Sequence, residues 1–189
     1  MPVDELVAST RSILSKKAVI ELDHEIELAS GQMSRHFVDG KAGLSDPDDL
    51  RVACAAMAAL VEATGVEYDV VGGPTLGADH IAVGISYETG KEWFFVRKEP
   101  KGRGTGKQIE GARIGEGTRV LVVEDAVSTG GSFFTAIDVI EATGAMVVAA
   151  TTLIDRGISC APEMGRRGIA FCPVTTYADF GMDPILAST

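Results

Sequence analysis

Val120-Leu121-Val122-Val123 is an unbroken apolar run that stops on two acids, Glu124-Asp125. A strand with apolar residues on both faces must be buried on both, so helices have to cover the two sides of the sheet that holds it. The flanking sequence supplies them. Tyr68–Val71, Trp93–Val96, Val147–Ile154 and Ile169–Val174 read as further strands. Ala78–Ser86, Phe133–Thr143 (ended by Gly144) and Ala161–Arg167 read as helices between them. This alternation predicts βαβ units and an α/β fold around a central parallel sheet flanked by helices. Ligands bind such sheets at the carboxyl ends of the strands. The loops after Val71, Val96, Val123 and Ile154 are therefore expected to line one site.

Before this region the pattern is looser. A helix is expected from Asp4 to Leu14, then a bent hairpin or loop over Val19–Asp39 broken at Ser30-Gly31. Asp46-Pro47 pairs an N-cap acid with proline at the first helical position, which starts a second helix running to Ala63 and stopped by Gly65. Gly72–Gly77 reads as a loop, and Arg97–Gly117 as a long, polar, glycine-rich one. The 189 residues suffice for one domain. The expected division is a core over about residues 45–175 and a small hood from about residues 1–40 plus the end of the chain.

Net charge of -10 argues against broad nucleic-acid binding, which needs a basic face. No apolar window approaches the roughly 20 residues of a membrane span, and Met1–Leu14 carries Asp4 and Glu5 with no signal-peptide core. A cytoplasmic location without membrane contact is the expectation. Cys54, Cys160 and Cys172 are widely spaced and read as small core residues. His24, His36 and His80 lack metal-site spacing.

The segment from Val120 to Ser132 divides its work among three parts. The strand delivers Glu124 and Asp125 to its open end; Ala126-Val127-Ser128-Thr129-Gly130-Gly131-Ser132 follows; a helix starts at once. Amides at a helix N-terminus favour an anion, and Gly130 and Gly131 let the backbone curl round a phosphate. The two acids would repel that phosphate, so they are expected to face a sugar diol, whose hydroxyls a carboxylate accepts. An ordinary βα loop could carry the same capping hydroxyls, but it gives two strand-end acids no task. Gly102–Gln108 is not a P-loop, because Gln108 stands where Ser or Thr is needed and no strong strand precedes it. The glycine spacing of dinucleotide sites is absent.

Strand, two acids, spacer and Thr-Gly-Gly-Ser together resemble the phosphoribosyl-pyrophosphate (PRPP) signature of type I phosphoribosyltransferases. The resemblance implies that Glu124 and Asp125 hold ribose hydroxyls while Ser128–Ser132 wrap the 5-phosphate. A second segment resembles the catalytic loop of the orotate phosphoribosyltransferases. Arg97, Lys98, Lys101 and Arg103 place four cations within seven residues of an acidic chain, and Gly104, Glu110 and Gly111 match as well. A loop of this length tends to be functional, here as a lid that closes over pyrophosphate. Arg103 stands where the family usually has His, which keeps a cation but removes a titratable group. Leu28–Asp39 is similar to the stretch covering the orotate ring, with Phe37 stacking, His36 nearby and Ala29 where some members have Lys. Leu153-Ile154-Asp155-Arg156-Gly157 matches the strand end where Arg156 would meet the orotate carboxylate in bidentate fashion, with Ser128 also near orotate. Gly72–Asp79 looks like the pyrophosphate-side loop.

The resemblance implies the type I phosphoribosyltransferase fold, with its hood, and transfer of 5-phosphoribose from PRPP to orotate in pyrimidine biosynthesis. Catalysis would rest on charge stabilisation by Lys101, Arg97, Lys98, Arg103 and Asp125. Magnesium would be carried on the substrate and not by a protein cage, and a homodimer would share its lids between subunits. Two alternatives stay open. A transferase for another base would share the phosphate machinery but not Phe37 and Arg156. A non-catalytic PRPP sensor could dispense with the lid lysines.

Overall fold

The computed structural model of the chain describes residues 1–28, 31–100 and 107–186. Helix α1 (Val3–Lys17) opens with Asp4 and Glu5 and closes with Lys16 and Lys17, charges that suit the helix dipole. Strands β1 (Val19–Glu27) and β2 (Met33–Val38) form a separate two-stranded antiparallel sheet. The short α2 (Gly40–Gly43) is capped by Asp39, whose carboxylate accepts from Ala42 N–H at 3.0 Å. Asp46 caps α3 (Pro47–Glu62) with Pro47 in its first turn, as the sequence indicates.

Then follow β3 (Val70–Pro74), α4 (Asp79–Thr89), β4 (Glu92–Val96), β5 (Ile109–Gly111), β6 (Arg119–Val127), α5 (Gly131–Glu141), β7 (Met146–Asp155), α6 (Cys160–Arg167), β8 (Ala170–Phe171) and β9 (Thr175–Thr176). The main sheet runs β5-β4-β3-β6-β7-β8, with β9 also on β7. Every pairing is parallel except that of β5 with β4. This is the expected α/β architecture.

β6 shows why its apolar run is continuous. Leu121 and Val123 pack into a core with Leu14 of α1, Met57 of α3 and Ile81 and Ile85 of α4. Val120 and Val122 point the other way, into a core with Phe133 and Ile137 of α5 and Met164 of α6. Of the N-terminal stretch, α1 thus packs on α3, while the β1–β2 hairpin carries its own sheet. The chain's end returns to the end of β7 and to that hairpin: Ile185 bridges Gly157, and Leu186 N–H donates to Gln32 Oε1 at 2.7 Å.

Four local readings change. β3 continues through Gly72 and Gly73, which the sequence assigns to a loop. A Cβ at Gly72 would lie 2.4 Å from Phe94 O and one at Gly73 2.0 Å from Val123 O, so close strand approach, not a turn, calls for these glycines. β6 extends past Val123 to Val127, placing Glu124 and Asp125 inside the strand. β5, only three residues long, lies within the expected Arg97–Gly117 loop. The single last strand is two short ones, β8 and β9, with Pro173, which cannot donate to a ladder, between them. Cys54 and Cys160 are buried and Cys172 is half-buried. Among the described residues, no helix is long and apolar enough to cross a membrane.

Candidate active site

The far end of β6 builds the site. Glu124 is buried, 6% exposed. Burial, and next the charge of Asp125, hold its carboxyl well above the usual range, although Asp125 N–H donates to Glu124 Oε1 at 3.1 Å. Asp125 is less enclosed; its carboxylate accepts from Ala126 N–H at 2.7 Å and pairs with Lys41 Nζ at 3.3 Å. Beyond Val127 the chain turns through Ser128 and Thr129 to Gly130, whose φ of +86° favours glycine. Helix α5 begins there. A Cβ on Gly131 would meet nothing within 4 Å, so the amide-rich end of the helix faces open space suited to an anion.

That space belongs to a cavity of about 500 Å³. Asp125, Ala126, Val127, Ser128, Thr129, Gly130, Gly131 and Ser132 form one wall, and Phe37, Lys41 and Arg156 face it across the opening. The structure thus gathers Phe37, the β6–α5 loop and Arg156, which are far apart in sequence. Glu124 is not in the lining. It sits under the β3–α4 loop, where a Cβ on Gly77 would lie 2.1 Å from Glu124 Oε1 and 2.7 Å from Asp125 Oδ1. The Thr75–Leu76 peptide in that loop is cis. In the next turn, Asp79 Oδ1 and His80 Nε2 are buried without partners. Burial lifts the Asp79 carboxyl and depresses the His80 imidazole, with Asp125 opposing the latter shift.

Arg156 follows β7 and is 5% exposed. Its N–H donates to Val127 O at 2.7 Å, tying the ends of β6 and β7 together. Its Nη2 donates to His36 O at 3.0 Å and contacts Ser34 Oγ at 3.5 Å, while Nε is buried with no partner. Burial pulls its basicity below the ordinary value, yet a guanidinium remains charged. One edge of the group is thus held by the hairpin and another is unsatisfied. Phe37, 42% exposed, is the aromatic face beside it in the lining. His24 is exposed and pairs with Asp23; His36 contributes its backbone carbonyl.

The expected lid is closed at its base. Arg97 N–H donates to Gln108 O at 2.8 Å, and Gln108 Nε2 donates back to Arg97 O at 2.9 Å. Arg97 also lies 3.9 Å from Glu110. Arg97 and Lys98 are exposed and outside the cavity lining. Lys101, Arg103 and Gly104, like Ala29 and Ser30, lie outside the described residues. Sequence reasoning passed over Lys41 and the close packing of Gly40 and Gly77 on the acids. The expected hairpin or loop ends at Asp39, just before Gly40 and Lys41.

Among the described residues, no three His, Cys, Asp or Glu side chains converge as a metal cage. The lining does offer Asp125, a hard-oxygen donor of the kind that magnesium shares with substrate phosphates.

Residues 47–165 match the family of the phosphoribosyl transferase domain. An orotate phosphoribosyltransferase of Thermococcus gammatolerans is 42% identical over 152 residues, which cover 80% of this chain and 80% of that relative. The crystal structure of Mycobacterium tuberculosis H37Rv orotate phosphoribosyltransferase in complex with Fe(III) dicitrate superposes with a TM-score of 0.79 at 31% identity, over 93% of this chain and 99% of that one. The crystal structure of the same enzyme in complex with PRPP superposes with a TM-score of 0.74 at 29% identity, over 93% and 99%. On the family match, the identity to these relatives and the superposition, this chain has the type I phosphoribosyltransferase fold and belongs to the phosphoribosyltransferases, among the orotate phosphoribosyltransferases.

Proposed function

We propose that the chain transfers 5-phosphoribose from PRPP to N1 of orotate, giving orotidine 5'-monophosphate and pyrophosphate for pyrimidine biosynthesis. One observation carries the reading: a single cavity joins an anion-seeking helix end, a carboxylate and a buried arginine with an unsatisfied N–H. The β6–α5 loop from Ser128 to Ser132 takes the 5-phosphate on backbone amides. Asp125 accepts from the ribose hydroxyls, with Glu124 beneath it. Arg156 takes the orotate carboxylate, Phe37 lies against the ring, and Ser128 borders both ligands.

The reaction breaks the bond between ribose C1 and pyrophosphate oxygen, whose electron pair leaves with the pyrophosphate. Orotate N1 supplies the pair for the new bond and gives up its proton to solvent or to the departing pyrophosphate. Positive charge develops on the ribose and negative charge on the departing group, so preorganised charges lower the barrier. Asp125 stabilises the first and the lid cations Arg97, Lys98, Lys101 and Arg103 the second. Asp125 would help to hold magnesium, which would supply further positive charge against the pyrophosphate. A homodimer with lids reaching into each other's sites belongs to the same proposal, as does a cytoplasmic location.

The test is loss of orotate absorbance with purified protein, PRPP and magnesium. Orotate is consumed only with magnesium present, while adenine, guanine and hypoxanthine, which lack a carboxylate, stay inert. Turnover of a purine with orotate inert would refute the assignment.

A further inference from the structure

Lys41 is the cation of the cavity wall that the phosphoribosyl signature does not account for. It projects from α2, and α2 is pressed on the acid pair: a Cβ on Gly40 would lie 2.9 Å from Asp125 Cβ. In this structure Lys41 Nζ is 3.3 Å from Asp125 Oδ2, while its side chain stays 56% exposed. The carboxylate that has to accept the ribose hydroxyls is thus already occupied by an ammonium. A diol seated on Asp125 Oδ2 competes with that ammonium.

The surroundings show where the ammonium can go. The charge of Lys41 is felt by Glu124 and by His80 in the first turn of α4. Both flank the β3–α4 loop, against which Glu124 and Asp125 are packed through Gly77. This is the side on which PRPP places its pyrophosphate if the 5-phosphate sits on α5. Yet residues 75–79 read Thr-Leu-Gly-Ala-Asp, with no cation and one acid. The most highly charged part of the substrate therefore meets a loop with nothing positive to offer. A lysine ammonium has three rotatable donors on a flexible four-carbon stem, which lets it change partners without moving the backbone.

Resting on the phosphoribosyl reading above, we propose that Lys41 is a pyrophosphate-binding residue stored on Asp125 while the site is empty. The ribose diol replaces it on the carboxylate, and the released ammonium turns to the pyrophosphate. The exchange keeps Asp125 satisfied in both states and supplies the cation that the β3–α4 loop lacks. It also separates two ligands that share a ribose. PRPP gains Lys41 on binding, whereas ribose 5-phosphate only displaces it.

The experiment titrates the full chain with PRPP and with ribose 5-phosphate by calorimetry in the presence of magnesium, for the wild type, Lys41→Met and Lys41→Arg. Lys41→Met is expected to lose PRPP affinity by roughly 10- to 100-fold, the range for one hydrogen bond between charged groups. Its affinity for ribose 5-phosphate should be unchanged or higher, because Asp125 no longer has a lysine to release. Lys41→Arg should recover most of the PRPP affinity. Equal loss for both ligands would reduce Lys41 to a support for Asp125 and overturn the proposal, and so would unchanged PRPP binding. If the methionine variant misfolds by circular dichroism, Lys41→Gln decides the same comparison. A wild-type protein that fails to bind PRPP would instead overturn the phosphoribosyl reading itself.

Discussion

Replacing Arg156 with methionine tests the orotate assignment at its most exposed point. Arg156 is buried, with Nη2 donating to His36 O at 3.0 Å and Nε left without a partner. A planar carboxylate can take Nε and one terminal N–H together. Hydrogen bonds to charged groups contribute about 1.5–3 kcal/mol each. Two of them make about 3–6 kcal/mol, or roughly 10²–10⁴ in kcat/KM for orotate. Methionine keeps the length and fills the space. The fold loses the bond to His36 O but sheds a buried charge with an unsatisfied N–H, and these effects oppose one another. Stability should therefore change by about 1 kcal/mol or less, and PRPP affinity should hold because α5 is untouched. The assay compares orotate with uracil, which lacks the carboxylate. The wild type should prefer orotate strongly, and Arg156→Met should lose that preference through the orotate arm alone. If orotate turnover is unchanged, or if both substrates fall together, Arg156 does not read the carboxylate.

Three further outcomes are expected. Burial raises the folded-state pKa of Glu124 above 4.5, so its stabilising contribution is full below that pH and fades as pH rises through the folded value. Glu124→Gln stays neutral, so its melting temperature should gain on the wild type as pH rises above 4.5 while PRPP affinity falls; a gap that ignores pH would contradict the buried acid. Gly73→Ala would put a Cβ 2.0 Å from Val123 O and 2.7 Å from Ala78 Cβ, costing about 1–3 kcal/mol or about 2–4 °C of melting temperature per kcal/mol, and an unmoved melting curve would mean that β3 can shift away from β6. Lys101→Ala should lower kcat by about 10²–10³ with a smaller rise in KM. Mixing it with Asp125→Asn subunits should restore activity if lids cross between subunits, and dead hybrids after proven subunit exchange would confine Lys101 to its own chain.

Much of the site was legible because its signals are local. The run Val120–Val123 and the paired glycines mark a strand and a helix start within 13 residues, although the strand runs on through the acids to Val127, and periodicity found the elements on either side. What escaped depends on how elements approach one another. Gly72 and Gly73 look like turn residues until β4 and β6 are set beside them. The three residues of β5 are too few for periodicity and pair only because β4 presents an edge. Phe37 and Arg156 could be assigned only through family resemblance, since nothing local shows that a hairpin will cover the end of β7. Lys41 was invisible for the same reason: its partner Asp125 is 84 residues away.

The unsatisfied groups sharpen this point. Among the described residues, the buried side-chain nitrogens and oxygens without a partner are Asp79 Oδ1, His80 Nε2 and Arg156 Nε. Arg156 follows the carboxyl end of β7, and Asp79 and His80 open α4 beyond the loop that follows β3. An orphaned buried polar group costs about 1–3 kcal/mol, so a fold selected for stability alone would scatter or remove such groups. Arg156 Nε borders the cavity that Asp125 and the β6–α5 loop line, which leaves the empty protein with an interaction still to be made there. Ligand groups of the matching kind can collect that free energy on binding, which is how a site can be destabilising to the chain and selective for its substrate at once.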